Sequence, residues 1–262
     1  MCDQRALSTR APVLEDPPLD FAPLPPARRQ LVVFDFDWSL ADQDTDRWVH
    51  EVLSPRLRVE FTRLLPHMQF TDMCAHLLVE LHREGHSRAE LEAALRRMPV
   101  HPAMVRAVRA LHANHPDTDF LLLSNSNTEY IGTILPEAGL DGIFAEVITN
   151  PARWDGELLR LSRRIPADAP QHGCTVGCSA NMCKGAELKA FLTRHAPYER
   201  IIYVGDGGND YCPVAHLGPH DVAFVRRYRG LAQRVAAEGA HCAVRYWTGA
   251  WEAEQLLRLL YK

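Results

Sequence analysis

No stretch of this sequence stays apolar long enough to cross a bilayer. The longest purely apolar runs are strand-sized, such as Leu31-Val32-Val33-Phe34, whereas a spanning helix needs about 20 residues. The N-terminal region has no apolar core of the signal-peptide kind. The seven cysteines are an odd number scattered along the chain, which does not suit a disulfide-stapled secreted domain. These absences point to a soluble, cytoplasmic protein with free thiols. Basic residues are not in excess: 29 Lys and Arg face 33 Asp and Glu, for a formal net charge of -4. Neither nucleic acid nor a membrane is therefore expected as a partner, and a monomer or homodimer is. The 13 histidines contain no H-E-x-x-H string and are given no catalytic role. Arg226, Arg227 and Arg229 lack a second basic patch to work with and read as a solvated helix start.

What is present suits an ordinary globular enzyme. With 262 residues, 47% hydrophobic and 24% charged, the chain can bury one sizeable core, or a core and a small insert. Residues 1–29 hold six of the 18 prolines (Pro12, Pro17, Pro18, Pro23, Pro25 and Pro26) and few aliphatics. They read as a flexible proline-rich leader, with a docking ligand as the alternative. From Leu31 on, short apolar runs at 31–34, 120–123, 144–149, 201–204 and 222–225 alternate with longer amphipathic stretches. This alternation predicts an α/β fold, a doubly wound, Rossmann-like parallel sheet with helices on both faces. Between Asp46 and about Ala103 helical spacing takes over: Met73, Leu77, Leu78 and Leu81, then Leu91, Ala94, Leu95 and Met98, the latter set started by a Ser87/Glu90 capping box. Such an insert is too long for a loop. Residues 47–103 are thus expected to form a small helical cap inserted after the first strand, and 30–46 with 104–262 the catalytic core.

In sheets of this kind ligands collect beyond the carboxyl ends of the strands. The first run ends in Asp35-Phe36-Asp37-Trp38-Ser39, the second in Ser124-Asn125-Ser126-Asn127 and the fourth in Gly205-Asp206-Gly207-Gly208-Asn209-Asp210; Lys184 lies 22 residues before Asp206. Clustered acids need a compensating cation, and an oxygen-rich set suits Mg²⁺. Lysine and hydroxyl donors suit a phosphoryl group.

In motif, order and spacing this chain resembles the haloacid dehalogenase-like superfamily, nearest to its phosphoethanolamine/phosphocholine phosphatase group, which also holds pyridoxal phosphate phosphatases and plant pyrophosphatase or thiamine monophosphate phosphatase relatives. The resemblance covers residues 31–262 and rests on Val-Phe-Asp-Phe-Asp at 33–37, Thr-Asn-Pro at 149–151, Cys-Ser-Ala-Asn-Met-Cys-Lys at 178–184 and Tyr-Val-Gly-Asp-Gly-Gly-Asn-Asp-Tyr-Cys-Pro at 203–213. It implies a Mg²⁺-dependent phosphatase acting on a small-molecule phosphomonoester, in the range of phosphoethanolamine or phosphocholine and pyridoxal phosphate, with pyrophosphate and thiamine monophosphate as alternatives. It implies Asp35 as the nucleophile that becomes an aspartyl-phosphate and Asp37 as the general acid and base. It further implies Ser124 and Lys184 on the phosphoryl oxygens, and Mg²⁺ held by Asp35, Asp206 and the main-chain carbonyl of Asp37, with Asp210 orienting its waters. A non-catalytic relative using the same cleft for binding is the rival from another class; it would have lost Asp35, Asp37, Lys184 or Asp206, and all four are present.

Three departures stand out. Ser39 replaces a usual threonine and keeps the hydroxyl. Trp38 sits beside the acid/base, either as packing between cap and core or as a stacking surface for substrate. Where choline- and ethanolamine-selective members are expected to hold the cationic head with two acids, this chain has Asp46 and the neutral Asn125. The missing charge weakens attraction to an ammonium by about 1 kcal/mol or more at an effective dielectric near 20; Asp46 could alternatively cap the first insert helix. Cys174, Cys178 and Cys183, with Cys212 or His172 as fourth ligand, form either a structural zinc site or free thiols beside Lys184; their spacing lacks the tight C-x₂-C pair.

Overall fold

Successive side chains of each central strand are buried on opposite faces of the sheet, which stacks the chain into three layers. The computed structural model describes residues 17–195 and 197–261. Strand β1 (Gln30–Phe34) leads into four inserted helices, for which we keep the label cap: α1 (Thr45–Leu53), α2 (Pro55–Leu64), α3 (Phe70–Arg83) and α4 (Arg88–Arg96). The chain continues through α5 (Pro102–Asn114), β2 (Thr118–Asn127), α6 (Thr128–Glu137) and β3 (Glu146–Asn150), then a hairpin of β4 (Ala152–Asp155) and β5 (Leu158–Leu161). It ends with α7 (Lys184–Arg194), β6 (Arg200–Gly205), the short α8 (Tyr211–Val214), β7 (Val222–Arg226), α9 (Gly230–Glu238), β8 (Ala243–Trp247) and α10 (Ala250–Arg258).

Six strands form one parallel sheet in the order β3-β2-β1-β6-β7-β8. Val32, Phe34, Phe120, Leu122, Ile202 and Val204 face one way and pack with residues of α5, α6 and α10 in a core that runs on into the cap. Leu31, Val33, Leu121, Leu123, Tyr203 and Val225 face the other way and pack on α7, α8 and α9. This is the period of two expected of strands buried on both faces. The sheet grows outward in one direction from β1 to β3 and resumes on the other side with β6, so the topological switch falls between β1 and β6, where a cleft opens at the strand ends. Phe34 is level with both Leu122 and Val204, which brings the carboxyl ends of the three central strands together.

Several details differ from the sequence reading. Strand β2 runs on to Asn127, with a register shift against β3 between Leu123 and Asn127, so Ser124, Asn125 and Ser126 belong to the strand end itself. The hairpin, turned at Gly156 (φ 60), and β8 are additional; β8 is an edge strand whose residues other than Trp247 are half-buried or exposed and so carries no apolar run. Within the cap the Ser87/Glu90 box forms as expected, with reciprocal bonds of 3.3 and 2.8 Å. Where the sequence suggests a flexible leader, residues 17–29 lack helix or strand yet lie on the core: Arg200 donates to Pro25 O at 2.6 Å, Arg28 N–H to Glu199 at 2.8 Å, and Arg29 pairs with Asp119 at 3.0 Å. Residues 1–16 of that leader lie outside the described residues. Among the described residues no helix is long and apolar enough to cross a membrane.

Candidate active site

Asp35 extends β1 by one hydrogen bond, its N–H reaching Val204 O at 2.9 Å. The chain then makes one wide turn, closed by Leu40 N–H to Asp35 O (3.2 Å) and Ala41 N–H to Phe36 O (2.9 Å). At its apex Trp38 takes φ 60, a left-handed conformation that costs a residue with a side chain roughly 1–3 kcal/mol. The arginines that were expected to be solvated hold it there. Arg226 donates to Trp38 O at 2.6 Å and pairs with Asp42 at 2.8 Å, while the Arg229 guanidinium lies 3.9 Å from the Trp38 ring centre. Aromatic faces attract guanidinium groups, so these side chains lock the turn instead of facing water. Trp38 therefore packs, and it also lines the cleft. The turn delivers Asp37 to the same cavity as Asp35, of about 280 Å³. Asp37 is held by α1, whose Thr45 donates its N–H (2.9 Å) and hydroxyl (3.2 Å) to the carboxylate; the same hydroxyl lies 2.8 Å from Ser126 Oγ.

Lys184, the first residue of α7, is fully buried and bridges Asp35 and Asp210 at 2.7 Å each. Burial alone would lower its pKa, but Asp210 and Asp35 override that and raise it, so the ammonium stays charged. Asp210 is saturated: one oxygen takes Lys184 and the Tyr203 hydroxyl (2.7 Å), the other the backbone N–H groups of Asp206 (3.1 Å) and Gly207 (2.9 Å). Its closeness requires glycine at 205, where a Cβ would sit 2.8 Å from the Asp210 carboxyl.

Carboxylate oxygens of Asp35, Asp206 and Asp210 lie within 4.8 Å of one another, with one lysine among them. Burial, then Asp210, pushes Asp35 well above the ordinary carboxylate range, Lys184 opposing only in part. The same two causes bring Asp206 up to about 7, and its carboxylate accepts no hydrogen bond among the described residues. Buried hard oxygens in excess of cations fit a divalent ion such as Mg²⁺. Asp37 is also raised well above its usual value, by burial first and then by Asp44 and Asp46.

The far wall belongs to the cap. Asp44, not Asp46, caps α1, accepting from Arg47 N–H at 3.0 Å. Asp46 is 4% exposed, lines the cleft, and has one oxygen without a partner; burial, then Asp44, raises it to about 8. Opposite stands an amide network absent from the sequence reading. Asn125 accepts from Asn209 at 3.0 Å and donates to Asn181 at 3.4 Å, Asn181 donates to Asn150 at 3.1 Å, and Gln69 of the cap reaches Ser179 (3.1 Å) and Asn181 (3.3 Å). The signal is present in the sequence, since Asn150, Asn181 and Asn209 sit inside three of the four strings that carry the resemblance.

The structure thus gathers Asp35, Asp37, Asp46, Ser124, Asn125 and Asp206 around one cavity and puts Lys184 and Asp210 behind its wall. Ser124 Oγ accepts from Ser126 N–H at 3.1 Å, leaving its own proton for another acceptor. The cavity is accordingly lined by a lysine-paired carboxyl group, a second buried acid, a hydroxyl with a proton to give and acidic oxygens close enough to share a cation.

Residues 30–261 match the family described as Putative Phosphatase. The chain is 32% identical to Inorganic pyrophosphatase 2 of Arabidopsis thaliana over 234 residues, 87% of this chain and 82% of that protein. It is 30% identical to Pyridoxal phosphate phosphatase PHOSPHO2 of Mus musculus over 242 residues, 88% and 98% of the two chains. Among solved structures, a HAD family hydrolase from Salmonella enterica serovar Typhi aligns with a TM-score of 0.62 at 19% identity, covering 90% of this chain and 72% of the other. Phosphoserine phosphatase in apo form aligns with a TM-score of 0.55 at 18% identity, covering 82% and 93%. The chain belongs to this family of phosphatases, phosphoric monoester hydrolases on the haloacid dehalogenase-like fold.

Proposed function

We propose that this member of the phosphatase family hydrolyses small-molecule phosphomonoesters through an aspartyl-phosphate on Asp35, with Mg²⁺ bound by Asp35, Asp206 and the Asp37 main-chain carbonyl. The observation that carries the reading is that Asp35, paired with the Lys184 ammonium, and Asp37, two residues on and held by Thr45, both face one cavity. The ion, once bound, supplies positive charge between the acids and the phosphoryl oxygens and favours ionised Asp35. Asp35 attacks phosphorus in line, forming one P–O bond as the ester P–O bond breaks. Asp37, oriented by Thr45, gives its proton to the departing oxygen; as a carboxylate it then takes a proton from the water that cleaves the acyl phosphate, which restores both residues. Ser124 donates to a phosphoryl oxygen, Lys184 fixes Asp35, and Asp210 holds Lys184 and the Asp206 backbone in place.

For the leaving group, the cap wall favours a head that donates hydrogen bonds or carries partial positive charge, since Asp44 and Asp46 both line the cleft there. Pyridoxal phosphate meets this, and Asn125 in place of an acid lowers the preference for the ammonium heads of phosphocholine and phosphoethanolamine. A second phosphate would face those two carboxyl groups, which argues against pyrophosphate. The test is phosphate release with Mg²⁺ from a panel of these compounds and thiamine monophosphate. Wild type should turn over at least one monoester, chelation should abolish turnover, and Asp35→Asn should lose roughly 10⁴-fold or more; p-nitrophenyl phosphate hydrolysis at the parental rate by that variant would refute the mechanism.

A further inference from the structure

Behind Lys184, on the side away from the cleft, the sulfur atoms of Cys174, Cys178, Cys183 and Cys212 all lie within 4.8 Å of one another. Cys174 and Cys183 are each 3.7 Å from Cys212. A tetrahedral zinc with bonds of about 2.3 Å places its sulfur ligands about 3.8 Å apart. We propose that these four cysteines bind one structural zinc ion that fixes the loop carrying Lys184 to the segment carrying Asp210.

The surroundings suit thiolates. Cys183 is the N-cap of the 11-residue α7, and its sulfur accepts Ala186 N–H at 3.4 Å; Cys174 accepts Val176 N–H at the same distance. Backbone N–H groups and a helix N-terminus stabilise sulfur as the anion. Arg234, itself paired with Glu238, ties the loop down by donating to Val176 O (2.9 Å) and Gly208 O (3.1 Å). Space is reserved as well, since a Cβ at Gly185 would come within 2.6 Å of Cys212 Sγ. His172, the other candidate for fourth ligand, is engaged elsewhere: its Nε2 is 2.8 Å from Ser179 O and its Nδ1 accepts Cys174 N–H at 3.4 Å. Three ligands come from the stretch 162–183, which has neither helix nor strand, and the fourth lies two residues after Asp210. One ion therefore joins two segments distant in sequence, one leading into Lys184 and one following its ion-pair partner Asp210. Binding replaces four thiol protons by one Zn²⁺, so protons are released on loading and acid reverses it.

Protein purified without chelator should contain about one zinc per chain, unchanged by Mg²⁺. Protein loaded with Co²⁺ instead should show the charge-transfer absorption of a tetrahedral tetrathiolate. Cys178→Ser, at a half-buried position, should drop zinc content by more than about tenfold, and zinc release by a mercurial should lower the unfolding midpoint by about 5 °C or more. Should the variant aggregate, the wild-type zinc content and cobalt spectrum decide alone. Failure of wild-type protein to take up zinc, a cobalt spectrum without sulfur charge transfer, unchanged zinc in Cys178→Ser, or a disulfide among the four by mass would each overturn the proposal. None of these readouts depends on phosphatase activity.

Discussion

On the sheet wall of the cleft, Asp35 and Asp210 share the Lys184 ammonium, and Asp210 fills its other positions with Tyr203 and two backbone N–H groups; on the cap wall, Asp46 is as deeply buried and has an oxygen that meets nothing. Both walls are acidic, yet only on the first does a buried cation stand among the acids. A buried polar group without a partner costs about 1–3 kcal/mol. The cap wall carries that cost next to the cleft that Asp46 lines. The fixed half suits the phosphoryl group common to all substrates, and the unsatisfied half suits the part that distinguishes them.

The sharpest way to break this contrast is to unbalance the sheet wall. Lys184→Met leaves Asp35 and Asp210 buried without their cation and should cost about 3–5 kcal/mol of stability, read by denaturant unfolding; a loss comparable to a surface substitution would mean that the wall is not held by that lysine. Asp37→Asn should lower kcat by roughly 10²–10⁴ for esters with alkyl leaving groups and much less for p-nitrophenyl phosphate, whose leaving oxygen needs little protonation. Because burial raises Asp37, wild-type kcat for alkyl esters should fall on the alkaline side as the acid ionises, and the Asn variant should lack that limb.

On the cap wall the sign reverses, so that removal of charge should help. Asp46 is neutral in both folded and unfolded chains below about pH 4; as pH rises toward about 8 the unfolded chain ionises first, and the stability associated with the folded acid is lost. In ligand-free protein Asp46→Asn should therefore stabilise by at least about 2 kcal/mol near pH 8 and by nearly nothing near pH 3.5, while raising KM for amine-bearing substrates. Equal effects at both pH values would show that Asp46 is not held neutral by burial. The smallest effect expected is from Asn125→Asp, which should improve kcat/KM for phosphocholine about fivefold, the worth of roughly 1 kcal/mol, with pyridoxal phosphate changed less.

The same contrast explains what the sequence disclosed. The sheet wall was legible because strand ends are marked by a change from apolar to functional residues, as at Phe34-Asp35, Leu123-Ser124 and Val204-Gly205-Asp206. Lys184 was legible as a helix start. The hairpin was readable in principle from Asp155-Gly156 but its strands are too short to stand out, and β8 lacked a signal because edge strands need not be apolar on both faces. The amide network was not legible as a unit: Asn125, Asn150, Asn181 and Asn209 come from four segments, and only the folded chain shows them in contact. Trp38 was the ambiguous residue, and the two arginines that settle its role lie some 190 positions away.

The saturation of Asp210 restricts the alphabet at that position. Each of its oxygens meets two donors, and three of the four, the Lys184 ammonium and two backbone N–H groups, can only donate. Asparagine has the same shape, but its NH₂ must point either at Lys184 and Tyr203 or at two backbone N–H groups, donor against donor in both cases. Glutamate is one carbon too long for a pocket in which even a methyl at 205 does not fit. Of twenty letters one satisfies all four neighbours, whereas at 46 the protein alone admits several and the choice is left to the molecule it receives.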